Sequence, residues 1–267
     1  MYEPELQAAL EAARLAGQAI GEAYARFQAI PDAHASISTE ADRQSQEIIL
    51  RSLQVRFPTD ALCAEEQTAT LAAATWTGSR LWIVDPIDGT RGFARKNGEF
   101  SVMIAFVAEG IIGVGVVLEP AHSRLTYAVR GGGCWKRDGD GAPVRCRVSD
   151  IGELTAATLT QSRSSVPGRV SRRVEALQPA RVVETYSAGI KLALVARGEA
   201  DIYANTYDAF HDWDICAGHI LVEEAGGKVT GLRGEELRYG LPEAWQRQGL
   251  LATNGRLHAE ALAQIAW

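Results

Sequence analysis

Residues 81–93 read LWIVDPIDGTRGF, a short apolar strand running directly into two aspartates three residues apart, with a proline between them and a glycine after the second. Any fold available to the chain must end a buried strand at this acidic corner. The apolar run needs a core, whereas Asp85 and Asp88 need water, a proton or a cation. Pro86 restricts the backbone between them, so both carboxylates are expected to converge on one spot. Hard oxygen donors grouped in this way suit magnesium, which keeps several waters and binds through a few carboxylates together with a substrate phosphate. Zinc would require His or Cys. If a helix starts after Asp88, the free N–H groups of Gly89 and Thr90 provide an anion site beside the carboxylates. Taken alone, DPIDG is also an ordinary Asp/Gly/Pro turn.

The surrounding pattern is one of alternating helices and strands. Residues from Pro4 to Phe27 place Leu6, Leu10, Ala13, Ile20 and Ala23 on one side at helical spacing. A second helix is predicted after the cap candidates Ser38 and Thr39, carrying Ile48, Ile49 and Leu53 and stopping at Phe57-Pro58, which puts Asp42 in its first turn. SVMIAFVAEGIIGVGVVLEP (101–120) reads as a hairpin turning at Glu109-Gly110, followed by strands at Leu125 to Val129 and Gly133 to Lys136. Residues 1–149 are thus expected to form an α+β half with an antiparallel sheet and most of the acids. Residues 150–267 alternate strand-like and helix-like patterns, as an α/β half that supplies Asp214, with a cleft between the two.

Two further acidic segments shift DPIDG away from a plain turn. In CAEEQ, Glu65 and Glu66 are adjacent, and only one of them can point into a site if the backbone is extended. In YDAFHDWDICAGHILVEEAGG, Asp208, Asp212 and Asp214 precede an apolar helical run, with Asp214 at the position expected of an N-cap and Trp213 beside it as a shielding ring. Three acids so close repel one another unless a cation or solvent intervenes.

The order of TEAD (39–42), EE (65–66), WIVDPIDGT (82–90) and WDICAGHILVEEAGG (213–227) resembles the inositol monophosphatase superfamily of magnesium-dependent, lithium-sensitive phosphatases, over nearly the whole chain. The resemblance implies an α-β-α-β-α layered sandwich. It also implies that Glu66, Asp85, the Ile87 carbonyl, Asp88 and Asp214 hold two or three magnesium ions, with Glu66 also in a catalytic role. Thr90, with Asp42 behind it, would orient and help deprotonate the attacking water, while the N–H groups of Gly89 and Thr90 hold the phosphate. In-line attack with ions on both the attacking and leaving oxygens follows from that arrangement.

Within the superfamily, DGTRGFARKNGEFSVMIAFV (88–107) looks most like the 3'(2'),5'-bisphosphate nucleotidases, whose segment carries an (R/K)-N-G-E-F-(T/S)-V core. SRS (162–164) and SAGIKLALVARGEADIY (187–203) resemble that subgroup too, which implies substrate contacts from Ser162, Arg163, Ser187 and Lys191. The implied substrate is 3'-phosphoadenosine 5'-phosphate or its sulfated relative. Arg163 and Lys191 are the cations expected to meet its second anionic group, and Tyr207, seven residues before Asp214, would face a base or ribose. Two positions depart from the subgroup: IPDAHASI (30–37) offers only His34 where a basic residue is usual, and Ser165 stands where His is typical. An inositol-1-monophosphatase or histidinol-phosphatase-like monoesterase is the second reading, and a non-catalytic metal- or phosphate-binding module the third.

Composition narrows the setting. The 267 residues are 46% hydrophobic and 22% charged, ordinary values for a globular protein able to bury a large core. Cys63, Cys134, Cys146 and Cys216 show no zinc spacing or disulfide framework, so reduced thiols are expected. The start, MYEPELQAALEAARLAG, is acidic and amphipathic, unlike a signal peptide, and Ile111 to Leu118 is too short to span a bilayer. A cytoplasmic monomer or homodimer acting on a small phosphorylated metabolite is expected, without membrane partners. The net charge of -6 argues against nucleic acid, although Arg163, Arg169, Arg172 and Arg173 gather positive charge in one short region to which a small anion could be drawn.

Overall fold

Alternation along β-strand 80–88 organises the molecule. Leu81 and Ile83 enter one core, and Trp82 and Val84 enter another on the opposite face. The chain is described here from a computed structural model covering residues 2–265 except 35, 76, 77, 165, 167, 173, 208 and 242. Ser165, Arg173 and Asp208 of the readings above therefore lie outside the described residues.

Helices α1 (Glu3–Arg26) and α2 (Glu40–Arg56) are followed by β1 (Ala61–Ala64), α3 (Ala69–Ala72), β2 (Arg80–Asp88) and α4 (Thr90–Ala94). Next come β3 (Ser101–Ala108), β4 (Ile111–Glu119), β5 (Arg124–Val129), β6 (Gly133–Asp138) and β7 (Val144–Arg145). The remainder supplies β8 (Thr158–Gln161), β9 (Arg181–Glu184), α5 (Ala188–Ala196), β10 (Ile202–Asn205), β11 (Phe210–His211) and α6 (Asp212–Glu224). It ends with β12 (Lys228–Thr230), β13 (Trp245–Gln246), β14 (Leu250–Thr253) and α7 (His258–Gln264).

Strands β1 to β7 form one sheet in chain order. Its neighbours are antiparallel except β1 and β2, which run parallel because residues 65–79 cross over between them. The expected hairpin turns at Glu109-Gly110, between β3 and β4. A second sheet has the order β12-β14-β10-β8-β9, with β8 parallel to both its neighbours and β14 antiparallel to both of its own.

Leu6 and Ile20 of α1 and Leu50 and Leu53 of α2 cover the Trp82, Ile104 and Phe106 face of the first sheet. Each such fully buried side chain contributes roughly 1.5–3 kcal/mol. On the other face Leu192 of α5 and Ala217 and Ile220 of α6 pack between Ile83 and Met103 of the first sheet and Tyr203 and Leu250 of the second. Beyond the second sheet, Leu257 and Ala261 close a third core over Leu159, Ile202 and Leu251. The layers therefore run α-β-α-β-α, as the resemblance implied. At Gly115 on β4 a Cβ would stand 2.4 Å from the Ala217 carbonyl, so only glycine lets α6 lie this close to the sheet. Among the described residues no helix is long and apolar enough to cross a membrane.

Candidate active site

The register of β2 against β3 is regular as far as Asp85 opposite Met103, and resumes at Asp88 opposite Ser101. Three steps along β2 are matched by two along β3, so one extra residue bulges out. In an unbroken strand, residues three apart face opposite sides; the bulge returns Asp88 to the side of Asp85. Pro86 has no N–H for the ladder and suits the bulge. Ile87 stays in the core and its N–H donates to Asp85 Oδ1 at 3.0 Å. Gly89 then turns at φ +86°, where a Cβ would meet the Glu99 carbonyl at 2.7 Å, and α4 begins at Thr90 as the sequence reading required.

This corner opens into a cavity of about 660 Å³. Asp85, Ile87, Asp88, Gly89 and Thr90 line it from the first sheet, and Ser162, Arg163, Tyr207 and Asp214 line it from the second half of the chain. Tyr207 is 58% exposed at its rim, its ring edge-on to Phe210.

Asp42 stands behind Thr90. Thr90 Oγ1 lies 2.8 Å from Asp42 Oδ1 and 2.9 Å from the Ile87 carbonyl, while Asp42 Oδ2 accepts the N–H and hydroxyl of Thr39 at 2.8 and 2.6 Å. Asp88 Oδ2 accepts from the Ser187 hydroxyl and, at 2.7 Å, from the Gly189 N–H at the start of α5. Asp214 is not the N-cap of α6 but its third residue. His211 occupies the cap, and its N–H donates to Asp214 Oδ2 at 2.6 Å. Trp213 stacks on His211 with ring centroids 4.2 Å apart. Asp212 is turned away and holds the chain through Gly240 N–H and Gln246 Nε2.

Three further expectations need correction. Of the adjacent glutamates it is Glu65, not Glu66, that lines the cavity. The Gln46 amide clamps the backbone N–H and carbonyl of Glu66, and the Glu66 carboxylate turns to the Ser38 hydroxyl at 2.6 Å. Ser187 is fully buried; it caps α5 by accepting the Ile190 N–H and positions Asp88 instead of lining the cavity. Lys191 is also buried, its ammonium donating to Ser162 Oγ and the Thr185 and Tyr186 carbonyls, each at 3.1 Å, so all three of its donors are engaged. Arg163 does reach the cavity but is paired in bidentate fashion with Glu99 of the NGEF segment.

The sequence reading passed over Tyr186, Arg91 and Asn205, which also line the cavity. Tyr186 directly precedes the serine–lysine stretch, and its ring lies 5.2 Å from the Arg91 guanidinium and 5.9 Å from that of Arg163. Among the described residues, buried Arg91 Nε has no hydrogen-bond partner.

Burial, then the charges of Asp214, Asp42 and Glu66, pushes the Glu65 carboxyl up to about 8, although the residue as a whole is exposed. Burial also raises Asp214 to about 7, with Asp88 and Asp212 adding to it. Asp85 is raised by burial and then by Glu65, Asp88 and Asp214. Among the described residues no three His, Cys, Asp or Glu groups close around a point as a bound ion would require. The donor chemistry nevertheless fits a hard dication. Carboxylates from three separate segments share one cavity, each raising its neighbours' proton affinity, and a cation between them reverses that penalty.

Such a gathering of carboxylates around an anion-sized space, with a hydroxyl–carboxylate pair at its edge, marks the chain as a phosphoric monoester hydrolase. A sequence model of the inositol monophosphatase family matches residues 1–267, and the chain belongs to that family. Members of the family are metal-dependent phosphatases, typically using magnesium. The chain is 35% identical to a histidinol-phosphatase of Mycobacterium tuberculosis over 230 residues, 85% of this chain and 84% of that protein. It is 32% identical to the 3'(2'),5'-bisphosphate nucleotidase CysQ of Buchnera aphidicola over 204 residues, covering 76% and 74%. Among solved structures the Thermotoga maritima IMPase superposes with a TM-score of 0.80 at 29% identity, covering 97% of this chain and 96% of that one.

Proposed function

We propose that the chain is a magnesium-dependent 3'(2'),5'-bisphosphate nucleotidase that converts 3'-phosphoadenosine 5'-phosphate to AMP and phosphate. The observation that carries this reading is the lining of the cavity. It runs from the carboxylates to Tyr186, Tyr207 and Arg163, an aromatic and basic wall suited to a nucleoside rather than a polyol. The NGEF segment braces that wall from behind: Asn97 Oδ1 accepts the Glu99 N–H, and Glu99 fixes Arg163.

Glu65, Asp85, the Ile87 carbonyl, Asp88 and Asp214 would hold the metal, with Glu65 in the place first given to Glu66. Magnesium bound there supplies charge neutralisation on the phosphoryl oxygens and a lowered pKa for the attacking water. The chain's own residues orient the reactants. The Gly89 and Thr90 N–H groups at the start of α4 face the phosphoryl oxygens, and Thr90 Oγ1 accepts a proton from the attacking water as its own proton passes to Asp42 Oδ1. Burial raises the proton affinity of Asp42, in keeping with that role.

The histidinol-phosphatase relatives favour a second reading, a histidinol-phosphate monoesterase. Steady-state kinetics with magnesium on 3'-phosphoadenosine 5'-phosphate, histidinol phosphate and inositol 1-phosphate separate the two. The nucleotidase reading expects kcat/KM for the nucleotide to exceed the others by about tenfold or more. Comparable values, or a lead for histidinol phosphate, overturn it.

A further inference from the structure

A second cavity, of about 440 Å³, adjoins the reaction cleft and shares Ser162 and Asn205 with it. Its lining includes Arg169 and Arg172, which follow β8. Both are exposed, and among the described residues neither guanidinium has a carboxylate partner. Glu184, at the end of β9, is held by Gln161 Nε2 at 3.1 Å and the Ser164 N–H at 3.3 Å rather than by either arginine.

This matters because the two cations that the sequence offered for a second anionic group are engaged elsewhere. Arg163 is held by Glu99, and Lys191 by one hydroxyl and two carbonyls. A leaving group with its own phosphate must find positive charge nearby, on a chain whose net charge of -6 otherwise repels it. Guanidinium groups bind phosphate oxygens in bidentate fashion, and both arginines line this one cavity.

We propose that the Arg169–Arg172 cavity is the subsite for the second anionic group of the substrate, a phosphate carried on the leaving group. The reacting ester lies in the carboxylate cleft, and the nucleoside crosses at Ser162 and Asn205. This rests on the nucleotidase reading above and adds to it the residues that set its specificity.

The test is the double variant Arg169→Ala/Arg172→Ala, compared with wild type on 3'-phosphoadenosine 5'-phosphate and on adenosine 3'-monophosphate, which has the same reacting ester and no second phosphate. KM for the bisphosphate should rise about tenfold with kcat unchanged, values for the monophosphate should not move, and the double lysine variant should recover part of the loss. No change, or an equal change on both esters, overturns the subsite. Calorimetry with AMP separates the two claims, since AMP keeps only the second phosphate. If wild type cleaves neither ester but the double variant binds AMP about tenfold more weakly, the subsite stands and the nucleotidase reading falls. AMP binding that the double variant leaves intact overturns the subsite whichever esters are cleaved.

Discussion

Helices α2 and α6 enter the candidate site with the same first-turn device and put it to different uses. In each, the third residue is an aspartate that accepts the N–H of the cap: Asp42 from Thr39 at 2.8 Å, Asp214 from His211 at 2.6 Å. Beyond that they diverge. Both oxygens of Asp42 are occupied, one by Thr39 and the other by Thr90. Asp214 Oδ1 has no protein donor among the described residues, and Asp214 lines the cavity. A helix start therefore gives either a carboxylate held through both oxygens or one with an oxygen left free at the cavity, according to whether a neighbour claims the second oxygen.

The sharpest way to break this comparison is Asp214→Asn. At saturating magnesium it should lower kcat/KM by about a thousandfold or more, while the metal-free protein keeps its circular dichroism and its Tm, because a buried like charge has been removed. Retention of more than about a tenth of the activity would place Asp214 with Asp42 as a positioning residue. Asp42→Asn should lower kcat about a hundredfold with little change in KM or in the magnesium requirement. A markedly weakened response to magnesium would instead make Asp42 a ligand.

A smaller effect should appear in stability against pH. Glu65 is raised to about 8 from 4.5 and Asp214 to about 7 from 3.8, so the folded protein holds these protons more tightly than the unfolded chain. The contribution is present in full below the unfolded values and is lost as pH rises through about 7 to 8. The Tm of the metal-free protein should fall across that window, and magnesium should flatten the slope; a metal-free Tm that climbs there would remove charge repulsion from the account. Smallest of all, Thr39→Ala should cost about 1 kcal/mol in denaturant unfolding and reduce kcat less than Asp42→Asn does. A loss of kcat as large as that of Asp42→Asn would mean that Thr39 alone orients the carboxylate.

The helices, the hairpin at Glu109-Gly110 and the DPIDGT corner were legible in the sequence because each depends on local period or turn chemistry. What could not be read depended on which groups the fold brings together. The choice between Glu65 and Glu66 is made by Gln46 on α2, and the burial of Lys191 by the carbonyls of Thr185 and Tyr186 together with Ser162 on the far side of β9. The bulge at Pro86-Ile87 was only half visible. The proline announced an interruption, but the side to which Asp88 returns is set by its pairing with Ser101.

That interruption ties catalysis to folding. Because one strand carries both the apolar teeth of two cores and the pair of acids, a one-residue slip of β2 against β3 would turn every tooth from Leu81 to Val84 to the wrong layer. The same slip would deliver the acids to the α1–α2 side. Errors of alignment in this strand are therefore rejected during folding itself, so that a chain able to complete its central sheet has, by that fact, already aimed its carboxylates.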